Sequence, residues 1–488
     1  MLFNSLDFVV FFIFILSIIS VIKYRKFQHV FLLIGSYFFF YYSSNYLILL
    51  LIISTLLDFY LAKIIWNTNN ILKKKIFLIF SLTGNLGLLG FYKYSDFTIL
   101  QFNLLGEEIN ISTNIPFLNL VLPIGISFYT FQTISYTIDV YRGKLEPSQS
   151  LKEFALFVSF FPQLVAGPIV RASEFLPQLR EKMNTGKSKL KQIVIHNSNL
   201  KLGVTIMVFG FLKKMFFADN IAPLVDSVFV NPIGLDSFTI ILGTIGFGIQ
   251  IYGDFSGYSD IAIGAALILG FKLPQNFNNP YFAISPSDFW RRWHISLSSW
   301  LRDYLYIPLG GNQRSRGRNY FNLMTVMFLG GLWHGASWNF VVWGILHGAY
   351  LAIHKVITNI FPGLKNSLFF KSKIGKIISI LVTQYLIFFT WITFRVQNTE
   401  DMLYSMNKYI FLDFYIHNTI QFILSHKFSV LLIMLFMIFN FILYKKPDIT
   451  ITISKYGYKK WIIFLTGCMF IIFLFYDGNP EDFIYFKF

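Results

Sequence analysis

Charge is scarce in this chain: Asp, Glu, Lys and Arg make up 13% of its 488 residues, against roughly 25% in a soluble domain. So few charged groups cannot clothe a folded surface in water, so lipid must cover part of it. Cysteine is scarcer still. The single Cys468 excludes a disulfide framework and a cysteine metal cluster, and its place in the last apolar run fits a packing residue. Acidic residues are outnumbered, 24 against 41 basic. The positive-inside rule explains that excess as loops held in the cytoplasm, without a nucleic-acid partner. The sequence also lacks a Gly-x-Ser-x-Gly elbow, a phosphate-cradling glycine loop followed by Lys, an internal repeat, a low-complexity tract and an interdomain linker.

What it has instead is apolar sequence. Hydrophobic residues make up 55% of the chain and aromatics 19%. A crossing needs about 20 apolar residues, which leaves room for about ten. The expected fold is an all-α polytopic membrane protein of about ten transmembrane helices with re-entrant and interfacial pieces, forming a single membrane domain over residues 1–488. Residues 2–22 lack the basic start and small-residue cleavage site of a signal peptide, so they read as a retained helix.

Basic residues order the loops. Lys23, Arg25 and Lys26 put the first loop inside. Residues 30–65 are too long for one crossing and divide at Ser43-Ser44-Asn45, and the chain returns to Lys73, Lys74 and Lys75. Residues 76–94 go out, 96–116 carry Asp96, Glu107 and Glu108 as an outer loop, and 117–140 come back. Residues 154–170 have Lys152 and Arg171 at their ends and Pro162, Gly167 and Pro168 within, the pattern of a re-entrant segment. Lys213 and Lys214 make residues 199–236 irregular, and Gly253-Asp254-Phe255-Ser256-Gly257 reads as a break in the run 239–271. Residues 272–320 stay inside, with Phe289-Trp290-Arg291-Arg292-Trp293-His294 suited to an interfacial helix. Residues 321–354 have basic residues at both ends and so dip in and return. The tail goes out, back to Lys445 and Lys446, and out again to Asp477, Glu481 and Asp482.

The sharpest chemical feature is Gly330-Gly331-Leu332-Trp333-His334-Gly335-Ala336-Ser337-Trp338-Asn339. Twelve residues of helix separate Asn322 from His334, about 18 Å of rise into a hydrocarbon core about 30 Å thick. That sets His334 near mid-membrane, where an ionisable side chain marks a functional site by default. The plain alternative is a histidine bonded to a neighbouring helix, and the glycines, tryptophans and Asn339 around it weigh against that. His294 fits an interfacial side chain as well as a catalytic one. His347 and His354 are seven apart, not the i, i+4 spacing of a helical metal pair. Ser337 reads as packing more than as a nucleophile. His29 reads as a surface residue.

These residues resemble a known family. Phe289-Trp290-Arg291-Arg292-Trp293-His294-Ile295-Ser296-Leu297, Trp300-Leu301-Arg302-Asp303-Tyr304, Leu309-Gly310-Gly311-Asn312 and Gly331-Leu332-Trp333-His334-Gly335 are similar to motifs of the membrane-bound O-acyltransferases. So are Pro123-Ile124-Gly125-Ile126-Ser127-Phe128, Pro162-Gln163-Leu164-Val165-Ala166-Gly167-Pro168-Ile169 and Pro274-Gln275-Asn276-Phe277. The resemblance is to the bacterial branch of alginate and peptidoglycan O-acetyltransferases, with D-alanyl transfer to teichoic acid a near relative. It implies helices around a trans-membrane tunnel in a bacterial plasma (inner) membrane. It implies no bound cofactor, acetyl-CoA as donor from the cytoplasm, and an extracytoplasmic acetyltransferase as partner protein. It makes 272–354 the catalytic segment, with His334 the essential histidine and His294 a second motif position.

In that setting His334 is a general base for an acceptor hydroxyl, a task that suits an imidazole with an ordinary pKa about 6.5. An acyl-histidine relay stays open beside it. Trp333, Trp338 and Asn339 are candidates to shape the tunnel and hold the carbonyl oxygen, and Asn276 and Asp303 are further substrate-binding candidates. Arg291 and Arg302 either hold donor phosphates or anchor to anionic headgroups. The rival class is a transporter, which also uses broken helices and midplane ionisable residues. The missing inverted repeat and the acidic residues confined mostly to loops count against it.

Overall fold

The computed structural model describes residues 1–22, 24–111, 113–165, 167–184, 193, 195–413, 415–476 and 483–486. Lys23, Ala166, Asp477, Glu481 and Asp482, which entered the reading above, lie outside them. The described residues form helices joined by turns, with no strand among them. Six stretches are long and apolar enough to cross a membrane: Lys26–Asn67, Ile71–Glu108, Ser237–Ile268, Trp338–Ile360, Lys373–Arg395 and Lys427–Lys445. The last exposes Met434, Met437, Ile438 and Phe441, an apolar face that only lipid or a partner can cover. This is an all-α, multi-pass membrane protein.

The chain resolves into two compact units, residues 1–207 with 261–274, and residues 208–260 with 275–488. In the first, the expected break at Ser43-Ser44-Asn45 is a 3-10 turn, Asn45–Leu47, between Arg25–Ser44 and Ile48–Asn67. Asn45 takes a positive φ of 48° there, and asparagine is among the residues most often found at positive φ. His29 is buried, not on the surface. Two other boundaries differ from expectation. The Ile71–Glu108 helix runs on into the segment 96–116 read as an outer loop, as far as Glu108. Nothing in residues 96–108 breaks a helix, and acidic side chains are at home on helix lying beyond the hydrocarbon. The next helix starts at Ile126, not near residue 117. Pro116 and Pro123, with Asn119 at φ 50°, keep the chain before it out of helix.

The segment 154–170 is interrupted, as its prolines require: Leu151–Ser159, then the single turn Phe161–Leu164. Its freed backbone finds partners. The Phe161 N–H donates to Ser36 Oγ at 3.3 Å, and Gln163 Nε2 donates to the Phe157 carbonyl at 2.5 Å. Nearby helices of this unit are tied by a buried carboxyl. Ser81 and Thr137 hydroxyls donate to Asp58 Oδ1 at 2.5 and 3.0 Å, and Asn85 Nδ2 donates to Oδ2 at 2.8 Å. Ser54 Oγ in turn donates to Asn85 Oδ1 at 2.5 Å.

In the second unit the irregular stretch around Lys213 and Lys214 is a π-helical turn, Leu212–Ala218. The extra residue per turn lets both lysines reach carboxylates: Lys213 to Asp260 at 2.7 Å, and Lys214 to Asp219 and Asp254 at 2.7 and 3.1 Å. The predicted break at 253–257 is absent, because Ser237–Ile268 is one continuous helix. Its glycines serve close approach instead. A Cβ on Gly253 would lie 2.9 Å from the Lys213 carbonyl oxygen, and one on Gly257 2.7 Å from that of Gly210. Residues 316–360 form a hairpin, Arg316–His334 and Trp338–Ile360. Its arms touch backbone to backbone: a Cβ on Gly331 would sit 2.3 Å from the Phe340 carbonyl, and one on Gly344 2.5 Å from that of Met327.

Candidate active site

His334 is the last residue of its helix, at the tip of this hairpin. It is 4% exposed. Rings enclose it: Trp343 at 4.8 Å between centroids, Trp333 at 5.0 Å, Phe394 at 5.2 Å and Tyr485 at 5.5 Å. Gly335 makes this closure possible, because a Cβ there would run into the Phe340 ring, which itself packs on Phe394 at 4.9 Å.

His294 lies between the short helices Pro286–Arg292 and Ile295–Leu301 and is fully buried. Its φ of 42° is left-handed, a conformation that costs a non-glycine residue of order 1 kcal/mol or more unless its surroundings impose it. Asn276 imposes it. The Asn276 carbonyl accepts from Ile295 N–H at 2.9 Å. Its Oδ1 accepts from the Ser296 N–H at 3.3 Å and hydroxyl at 2.8 Å, while its Nδ2 donates to Ser259 Oγ at 3.2 Å. Burial lowers the His294 imidazole to a pKa of about 3, so it is neutral at any physiological pH.

The two histidines share neighbours. Trp333 lies tilted at 6.0 Å from His294 and edge-on to His334, and Tyr485 lies 6.4 Å from His294 as well as beside His334. Phe255 closes the far side of His294 at 4.6 Å. His347 extends the cluster, with Trp343 at 4.5 Å. Trp290 Nε1 donates to its Nδ1 at 3.3 Å, and its Nε2 meets the Thr390 hydroxyl at 3.0 Å.

The other candidates separate. Trp333 belongs to the cluster and is 6% exposed, but Trp338 is 54% exposed, on the first turn of its helix, and is not a wall of it. Asn339 is buried, and its amide nitrogen is spent on the Val396 and Gln397 carbonyls at 2.7 and 3.3 Å, which fixes the helix start and leaves no donor aimed at a substrate. Asn276 holds the backbone around His294. Arg302 is exposed and grips Asp303 with two bonds, 2.7 and 3.3 Å, so each answers the other's charge. The Asp303 hydrogen bond raises the Arg302 guanidinium above its ordinary pKa, against a small opposing effect of burial. Arg291 is exposed, and Arg292 bonds Asp288 at 3.0 Å. Ser337 precedes the second helix of the hairpin and so does not share a helix face with His334. The sequence weighs His347 only against a metal pair with His354, and it does not single out Tyr485. The only signal for Tyr485 was an aromatic run, Phe483-Ile484-Tyr485-Phe486, in a tail that resembles nothing but apolar helix. A cleft of about 430 Å³ in this unit is lined by other residues, among them Asp219, Asn220, Asp226, His426 and Tyr476.

Comparison with known proteins fits this arrangement. Residues 145–396 match the model of the membrane-bound O-acyltransferase family. The peptidoglycan O-acetyltransferase of Helicobacter pylori is 38% identical over 374 residues, 72% of this chain and 67% of the relative. The probable alginate O-acetylase AlgI of Pseudomonas aeruginosa is 38% identical over 406 residues, 82% of this chain and 73% of the relative. The teichoic acid D-alanyltransferase of Streptococcus thermophilus is 29% identical over 280 residues, 54% and 63% of the two chains. A family match over more than half of the chain and relatives of this identity and coverage lead to one assignment: the chain belongs to the membrane-bound O-acyltransferase family and is an acyltransferase.

Proposed function

We propose that this protein relays an acetyl group from cytoplasmic acetyl-CoA to an extracytoplasmic acceptor, for O-acetylation of a cell-surface polysaccharide such as an alginate-like polymer or peptidoglycan. The observation that carries the reading is the enclosed pair of imidazoles, His294 and His334, bridged by Trp333 and Tyr485. The names of the relatives at 38% identity support acetyl as the group and a surface polymer as its destination, and they weigh against D-alanyl, whose carriers match at lower identity and over less of the chain. On this reading the protein sits in a bacterial inner membrane and delivers to a partner acetyltransferase outside. Residues 272–354 carry the site within one membrane domain, around a tunnel from donor to acceptor.

The mechanism uses His334 as general base. Its imidazole takes the proton of the acceptor hydroxyl as that oxygen attacks the thioester carbonyl. The C–S bond then breaks, and the imidazolium returns the proton to the departing thiolate. His294, neutral, serves as a hydrogen-bonding group in the same enclosure. Exclusion of water by the rings protects the thioester from hydrolysis. A second reading concerns which hydroxyl reacts first. Tyr485 sets a phenol against both imidazoles, and its hydroxyl oxygen is enclosed. On that reading the acetyl group rests on Tyr485 as a phenyl ester before it passes outward. Arg291 and Arg302, exposed, suit headgroups or donor phosphates at the inner face.

Inside-out vesicles given labelled acetyl-CoA test the proposal. The expected result is label on the enclosed acceptor and, in passing, on the protein. Vesicles that take up no label into either, with the protein present in normal amount, would sink the relay.

A further inference from the structure

The four-residue segment Phe483–Phe486 reaches the histidine cluster from the chain's far end. Phe483 is fully buried against Tyr258 at 4.5 Å and Phe255 at 5.6 Å, and Ile484 is 7% exposed. Its backbone is held by a side chain: the Ile484 N–H donates to Asp254 Oδ2 at 2.7 Å. Asp254 stands in the middle of an apolar helix, its side chain 4% exposed. Its other oxygen meets Lys214 Nζ at 3.1 Å, and Lys214 also meets Asp219 at 2.7 Å. The Lys214 ammonium thus faces both carboxylates, and the backbone N–H aimed at the Asp254 carboxylate makes a charge-assisted bond. A main-chain donor also fixes register. With Ile484 pinned, the next side chain is Tyr485, the one that packs on both imidazoles.

We infer that Asp254, braced by Lys214, is a positioning residue that seats the C-terminal segment and through it presents Tyr485 to His294 and His334. This rests on reading the histidine cluster as the acyl-transfer site. It gives a role to Gly253 and Gly257, which bring the Asp254 helix against the π-helical turn that carries Lys214.

The test removes the donor and spares the carboxylate. Ile484→Pro deletes the N–H, and proline is accommodated as the first residue of a helical turn. Ile484→Ala keeps the N–H and removes the side chain. Full-length protein in detergent is exchanged into deuterated buffer and the uptake of the peptide carrying Tyr485 is read by mass, and acetyl transfer is measured in vesicles. Wild type and Ile484→Ala should keep the Tyr485 amide protected under conditions in which Ile484→Pro exchanges it. Transfer by Ile484→Pro should fall roughly a hundredfold, as it does when a reacting group is misplaced by about 1 Å. Asp254→Asn, with Lys214 still paired to Asp219, should lose protection in the same way. An Ile484→Pro tail as protected as wild type overturns the inference. So does an unprotected tail with wild-type transfer. Failure of the acyl-transfer reading is separable: there His334→Ala would transfer normally while Ile484→Pro still lost its protection.

Discussion

Two buried polar clusters in this protein are built on opposite plans. Around Asp58, hydroxyl and amide groups of Ser54, Ser81, Asn85 and Thr137 bond to the carboxyl or to one another. Around His294 and His334 the walls are rings: Phe255, Trp333, Trp343, Phe394 and Tyr485. Both are nearly dry, and both would be costly to leave unsatisfied. A polar group answered by polar neighbours fastens helices. An imidazole walled by aromatics is held where rings exclude water, which suits a site that must protect a reactive ester. The contrast separates a fastening from a reaction site where burial alone does not.

Substitution at the centre of each cluster should break the comparison in different ways. His334→Ala removes the proposed base, and acetyl ester formed per molecule should fall about a hundred- to ten-thousandfold, with the protein still abundant. Asp58→Ala strands the donors of Ser81, Asn85 and Thr137. The first unit should lose about 3 kcal/mol or more, read as a drop in the unfolding midpoint in detergent, while ester per folded molecule holds. Asn276→Ala frees Ser296 and loosens the left-handed turn at His294. It should cost about 1–2 kcal/mol of stability and a larger share of activity than that cost explains.

A further effect is on pH dependence. His294 titrates near 3 in the folded protein, against 6.5 in an unfolded chain. As pH falls, the unfolded chain takes the extra proton first. Its contribution to stability is therefore whole above about 6.5 and declines as pH drops toward 3. Unfolding midpoints from pH 7 to pH 4 (about the span between those values) should fall less steeply for His294→Gln than for wild type.

Much of the fold was legible because lipid enforces simple rules. Apolar length marks helices, and Ser43-Ser44-Asn45 and Pro162 mark breaks, since a chain in hydrocarbon has few ways to turn. Reading failed where a residue type has two uses. Gly253 and Gly257 looked like a helix break but allow close approach within one helix. Asp96, Glu107 and Glu108 looked like a loop but extend a helix. In the site, His334 and His294 could be singled out locally, one by depth and one by its motif. Trp338 and Asn339 took on a role from the company they keep in sequence, but one faces outward and the other caps backbone. Tyr485 was out of reach for another reason. Its segment bonds Asp254 across 230 residues of chain, and no local pattern encodes that.

The central claim is that the ring-walled cluster reacts and the Asp58 cluster only holds. The most direct test measures unfolding midpoint and acetyl ester per folded molecule together, for His334→Ala and Asp58→Ala. The account predicts a crossed result: His334→Ala keeps its midpoint and loses its ester, and Asp58→Ala loses its midpoint and keeps its ester. His334→Ala with wild-type ester, or Asp58→Ala that stays stable but inactive, would contradict it.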